Sequence, residues 1–165
     1  MDVEIDYSKT AMTVGFLVKD LTVLLIEKGR NIGAGKLTGV GGKQDEGETL
    51  DETQVRETEE EIKVKVKKMR KAAEIEFVFP HNPKYGGHVT AYVIQEWNGN
   101  PQTTPEAKSV DWYDIDNLPK DRMWHDNTIW VPMILSGKNV KGRFVIGPDD
   151  KVTEYTLSEV VDWNS

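Results

Sequence analysis

Two apolar, β-rich runs, Thr13 to Lys19 and Leu21 to Glu27, flank Asp20 in the pattern of a hairpin. A glycine-dense loop, Gly29 to Gly42, follows them. The spacing predicts a helix over Thr49 to Ile62. Thr49 and Glu52 have the separation of a capping box, and Asp51 and Glu52 suit the positive end of the helix dipole. The helix's apolar stripe is thin: Leu50, Val55 and Ile62, helped by Thr53 and Thr58. The basic run Lys63 to Lys71 alternates with Val64 and Val66 and reads as a strand with one wet face. Ala73 to Phe79 and His88 to Glu96 read as strands joined by the turn-rich Pro80 to Gly87, with His88 facing solvent at a strand start. Val110 to Ile115 is a further short strand, and Leu118-Pro119 opens a turn or short helix. Asp126 to Leu135 suits a helix carrying Trp130, Ile134 and Leu135. Gly142 to Ile146 and Val152 to Tyr155 form a closing hairpin around Pro148-Asp149-Asp150. No repeat or linker divides the chain, so one domain over residues 1–165 is expected. Strands on both sides of a helix predict an α/β (α+β) fold with a mixed sheet covered by helices.

Composition narrows the partners. The 165 residues include no cysteine, which excludes disulfides and cysteine-ligated zinc. The longest apolar runs, such as Leu21 to Ile26, are too short to cross a bilayer, and Asp2, Glu4 and Asp6 are unlike a secretory signal. A monomeric, cytoplasmic protein without a membrane partner is expected. The net charge of −7 argues against duplex nucleic acid, which calls for a basic footprint. An acidic chain still binds phosphates when a divalent cation sits between the like charges.

Glu57, Glu60 and Glu61 are spaced to share one face of a helix. Carboxylates so close repel one another, and a divalent cation turns that repulsion into coordination. Magnesium suits such oxygen ligands, and a water activated beside it attacks phosphorus. The plainer alternative is a solvated acidic face, since Glu59 belongs to the same run. The glycine-dense loop is not a P-loop: Arg30 stands where the first glycine belongs, and Leu37 where Ser or Thr would meet magnesium. Gly33 and Gly35 lack the third glycine of a dinucleotide fingerprint.

The frame around the acids is more specific. Gly42, Glu48, Arg56, Glu57, Glu60 and Glu61 stand in the pattern Gly-x5-Glu-x7-Arg-Glu-x2-Glu-Glu. This resembles the Nudix box of hydrolases that cut a nucleoside diphosphate linked to another moiety. Arg56 can clamp Glu48 through a charge-assisted pair, and Gly42 lets the loop backbone approach the metal, where its carbonyl is a candidate ligand. Two box positions depart from the pattern: Thr58 replaces an aliphatic residue, and Lys63 replaces the glycine that ends the helix. A left-handed cap at lysine costs roughly 1 kcal/mol.

The likeness extends to Lys28, Gly33-Ala34-Gly35-Lys36, Gly39-Val40-Gly41-Gly42-Lys43, Met123-Trp124, Trp130-Val131-Pro132, Gly142-Arg143-Phe144 and Tyr155-Thr156-Leu157. These are similar to the oxidised purine nucleoside triphosphate hydrolase branch of the Nudix family. The resemblance implies the Nudix fold, a mixed sheet sandwiched between helices, and hydrolysis of a small-molecule nucleotide such as 8-oxo-dGTP to monophosphate and pyrophosphate. It implies magnesium, or manganese in its place, on Glu57, Glu60, Glu61 and Gly42, with Glu106 as an extra carboxylate. Thr13, Lys28, Thr38, Trp124, Asp126 and Asn127 become substrate-binding candidates, and Lys28 and Lys43 face phosphate charge or support the loop. The branch holds its base with a stacking tryptophan, two aspartates and an asparagine; here Asn127 and Thr38 replace one acid and the amide, changing the donors and acceptors. Trp124 and Trp130 suit either the core or a base platform, and His125 either a ligand contact or the surface. Pro80, downstream of Val64, is a cue of the ADP-ribose type. Nudix hydrolysis of ADP-ribose, a dinucleoside polyphosphate or capped RNA is the enzymatic alternative. A catalytically silent nucleotide-binding regulator is the alternative from another class.

Overall fold

The computed structural model describes residues 3–29 and 34–163. Arg30 and Gly33, which entered the loop comparisons above, lie outside the described residues. The paired strands are β1 (Thr10–Lys19), β2 (Thr22–Lys28), β3 (Leu37–Thr38), β4 (Lys65–Val78), β5 (Gly87–Asn98), β6 (Ala107–Asp114), β7 (Val140–Ile146) and β8 (Val152–Glu159). The helices are α1 (Leu50–Ile62) and α2 (Asn127–Leu135). The sheet runs β3-β2-β1-β5-β4-β7-β8, and β6 also pairs β2. It is mixed: β1–β5 and β4–β7 are parallel, and the remaining pairs are antiparallel.

β1 explains the architecture. Its residues Thr10 to Leu17 pair with β5, whereas Val18 and Lys19 turn away to pair with β2. Phe16 enters one core with Ile75, Phe144, Trp130 and Ile134, on the α2 side. Leu17 enters a second core with Ile26, Val40, Ile62 and Ile94, on the α1 side. A strand buried on both faces carries a continuous apolar run rather than an alternating one. The sheet is thus sandwiched between two helices. Among the described residues, no helix is long and apolar enough to cross a membrane.

The helix α1 starts where the capping box places it. Thr49 Oγ1 accepts the Glu52 amide at 3.1 Å, and Glu52 Oε1 accepts the Thr49 amide at 2.9 Å. Its end also follows the box, with Lys63 in the left-handed region at φ 61°. The buried face corrects the predicted stripe. Thr53, Gln54, Thr58, Glu61 and Ile62 are buried, whereas Leu50 and Val55 are only half-buried. The reason is the partner surface: much of this face meets the backbone of β1 and of the glycine loop, which offers hydrogen-bonding groups.

Two other expectations change. The basic run and the predicted Ala73 to Phe79 strand are one strand, β4, whose pairing shifts register between Val66 and Ala73. His88 does not face solvent; it is 5% exposed, edge-on to Tyr7 at 5.4 Å. The N-terminal segment covers it, held by Tyr7 Oη donating to Glu74 at 2.5 Å and Lys9 Nζ donating to Glu76 at 2.8 Å.

Candidate active site

The acidic face of α1 is organised by Arg56. Its Nε donates to Glu48 Oε2 at 3.1 Å and its Nη2 to Glu48 Oε1 at 2.7 Å, the two-pronged geometry in which guanidinium binds carboxylate most strongly. Nη2 also reaches the Lys43 carbonyl at 3.2 Å. Nη1 donates to Glu57 at 2.9 Å and to Glu60 at 3.2 Å. One cation therefore joins the loop before the helix to two of the three helix carboxylates predicted to bind metal. Glu48 also accepts the Asp45 amide and the Thr53 hydroxyl. The Arg56 guanidinium, the Asp45 amide and the Thr53 hydroxyl together hold the Glu48 carboxyl down at about 2.

Glu61 is set apart from that network. Its Oε1 accepts the Gly41 amide at 2.8 Å. Burial pushes its carboxyl up to about 8, with the neighbouring charges of Glu57 and Glu106 adding to the rise, against the Gly41 amide and Lys28. Burial likewise raises Glu57 above the ordinary carboxylate range, against the pull of Arg56. The glycine loop lies against both acids. A Cβ at Gly42 would stand 2.6 to 2.9 Å from the Glu57 carboxylate, and one at Gly41 would meet the Thr13 carbonyl at 2.0 Å. The Gly42 carbonyl accepts the Thr13 amide at 2.8 Å. Glu106 belongs to the same end, since its carbonyl accepts the Gly29 amide at 3.0 Å and its charge acts on Glu61.

Among the described residues, no three His, Cys, Asp or Glu side chains converge tightly enough to form a metal cage unaided. The donor set nevertheless suits a hard divalent cation. It is built of carboxylate and carbonyl oxygens, and Glu61 is a buried acid that an added positive charge would return to its ionised form.

A cleft of about 260 Å³ leaves this acidic end. Thr13, Lys28, Thr38, Gly41, Gly42, Lys43 and Glu61 line it, and Trp124, Asp126 and Asn127 line it too. Part of the lining is aromatic. Trp124 is half-buried and lies edge-on to Phe79 at 6.4 Å, and Phe79 meets Tyr85 at 6.1 Å. Lys36 Nζ stands 5.0 Å from the Trp124 ring centroid, within cation–π range. Trp130 is the core tryptophan of the pair, 1% exposed. Its Nε1 donates to Asp126 Oδ2 at 3.0 Å and so orients that carboxyl. Asp126 is buried, and burial raises its carboxyl above the ordinary range.

The structure therefore brings the predicted Thr13, Lys28, Thr38, Gly42, Glu61, Trp124, Asp126 and Asn127 to one cleft. Glu48, Arg56, Glu57 and Glu60 do not line it but form the network behind Glu61 and Gly42. His125 is tied into the fold, its Nδ1 accepting the Val152 amide at 2.9 Å. Sequence reasoning missed the wall of Phe77, Phe79, Lys84 and Tyr85, which it read only as strand and turn. It also passed over Gln54, whose spacing to Thr58 and Glu61 marks a polar row on the buried face of α1.

Known proteins fit this geometry. Residues 9–133 match the NUDIX domain. The chain is 33% identical over 156 residues to a protein of Danio rerio called oxidized purine nucleoside triphosphate hydrolase, covering 94% of this chain and 99% of that one. A mouse (Mus musculus) protein of the same name is 32% identical over 148 residues, covering 90% and 94%. Among solved structures, a mutator MutT protein from Bacillus halodurans superposes with a TM-score of 0.79 at 24% identity, over 90% of this chain and 97% of that one.

Proposed function

The chain belongs to the Nudix family, and from that footing we propose that it hydrolyses a purine nucleoside triphosphate, an oxidised one such as 8-oxo-dGTP, to monophosphate and pyrophosphate. The observation that carries the reading is one cleft lined both by Glu61 and Gly42 and by Trp124, Asp126 and Asn127. It matches a polyphosphate joined to a flat base. The relatives named for oxidised purine nucleotides, at 33% and 32% identity over nearly the whole chain, support the same substrate class.

Each set has its own work. Magnesium, or manganese in its place, would be held by Glu57, Glu60 and Glu61 with the Gly42 backbone and Glu106 beside them, and there it would offset phosphate charge and activate water. Arg56 fixes Glu57 and Glu60 so that little reorganisation is needed when substrate arrives. Lys28 and Lys43 line the cleft where they can neutralise phosphate oxygens. Trp124 offers a stacking face for the base. Thr38 and Asn127 each present both a donor and an acceptor to the base edge, and Asp126 is held in place by Trp130.

Incubation with magnesium and 8-oxo-dGTP, 2-oxo-dATP, dGTP, pyrimidine triphosphates and ADP-ribose tests the reading. The expected result is pyrophosphate and monophosphate, released fastest from an oxidised purine. Equal or faster turnover of pyrimidine triphosphates would remove the purine assignment. Preference for ADP-ribose would overturn the base-binding assignment and keep the acidic one. No turnover of any substrate would leave a nucleotide-binding regulator.

A further inference from the structure

The buried face of α1 carries a polar row one helical turn apart: Gln54, Thr58 and Glu61. Gln54 and Thr58 are both 0% exposed. Gln54 Nε2 donates to the Val40 carbonyl at 2.9 Å and to Thr58 Oγ1 at 2.9 Å. Thr58 Oγ1 in turn donates to the Gln54 carbonyl at 2.6 Å, which fixes the hydroxyl as an acceptor toward the amide. The Gln54 head lies against β1, for a Cβ at Gly15 would stand 2.4 Å from its Nε2. Gly15 supplies a second donor to the Val40 carbonyl, at 2.6 Å.

The peptide that joins Val40 to Gly41 is therefore gripped at both ends by one helix. Its oxygen accepts from Gln54, and its N–H donates to Glu61 at 2.8 Å. We infer that Gln54 and Thr58 are positioning residues: they set the plane of the Val40–Gly41 peptide and thereby the place of the Glu61 carboxylate and the Gly42 backbone. Neither lines the cleft. An apolar side chain at position 58 fills the same space but leaves Gln54 Nε2 with one acceptor fewer, and the amide is then free to rotate off Val40. The inference rests on the proposed hydrolase reading for its kinetic consequence and on geometry alone for its structural one.

Thr58→Val and Thr58→Ser separate a positioning role from a packing role. Valine matches threonine in shape without the hydroxyl, and serine keeps the hydroxyl. Hydrogen exchange of the Gly41 amide, followed by NMR without added metal, reports on the peptide directly. Thr58→Val is expected to speed Gly41 exchange by roughly three- to tenfold, the loss of about one buried hydrogen bond, with core amides such as Ile75 and Ala91 unchanged. Thr58→Ser is expected to restore Gly41 protection. Under magnesium turnover, Thr58→Val is expected to lower kcat by a similar factor with KM within about twofold. Gln54→Met, which removes both bonds, is expected to move the same readouts further. Gly41 exchange equal to wild type in Thr58→Val would overturn the inference. So would faster exchange shared by every core amide, which marks general destabilisation. If wild type turns over no nucleotide, the proposed function fails and the exchange experiment still decides the peptide clamp.

Discussion

Glu48 and Arg56 meet through two hydrogen bonds, and this pair ties the loop ahead of α1 to the acids on it. The pair has a pH signature. The Glu48 carboxyl is held at about 2 in the folded chain, below its ordinary value of 4.5. A depressed carboxyl stabilises the fold above the unfolded value and loses that contribution as pH falls from about 4.5 toward 2. Wild type is thus expected to exceed Glu48→Gln in urea midpoint at pH 6, with the gap closing as pH falls to about 2. A gap that stays constant over that range would show that Glu48 is not the titrating partner. At this scale the sequence was most readable where residue type and spacing carry the chemistry, as for Arg56 reaching Glu48. It was least readable for Gln54, whose role depends on a carbonyl from another segment.

At the scale of elements, α1 begins and ends where the capping pattern places it. Two turn positions carry backbone strain. Lys63, at the C-cap, has φ 61°, and Leu21, in the β1–β2 turn and 75% exposed, has φ 65°. Side chains disfavour this region by about 1 kcal/mol or more, and glycine does not. Lys63→Gly and Leu21→Gly are each expected to raise unfolding free energy by about 0.5 to 1 kcal/mol, read as a higher urea midpoint at constant slope. A lower midpoint would show that these side chains contribute contacts that outweigh the strain. Most element identities followed from periodicity and caps, although β3 lies inside the segment read as a glycine-dense loop, and three further properties did not follow. The register shifts inside β4 break its alternation, so one strand read as two pieces. The inward face of α1 packs on backbone, so its apolar stripe misled. His88 is buried by an N-terminal segment far from it in the chain, which local pattern does not reveal.

For the whole molecule, the proposed function depends on a cleft assembled from residues distant in sequence. β1 supplies Thr13, β2 supplies Lys28, α1 supplies Glu61, and α2 with the residue before it supplies Asn127 and Asp126. The Nudix box pointed to Gly42 and Glu61 from one stretch of chain, the family resemblance pointed to Trp124, Asp126 and Asn127, and all five line the same cleft. The aromatic wall of Phe77, Phe79 and Tyr85 emerged only when β4 and the following turn came beside Trp124. Steady-state kinetics of wild type, Glu61→Gln and Trp124→Ala on 8-oxo-dGTP with magnesium test the shared cleft most directly. The account predicts a kcat about a hundredfold or more lower for Glu61→Gln with KM little changed, and a KM about tenfold or more higher for Trp124→Ala with kcat within a few-fold. Wild-type kcat in Glu61→Gln, or wild-type KM in Trp124→Ala, would contradict it.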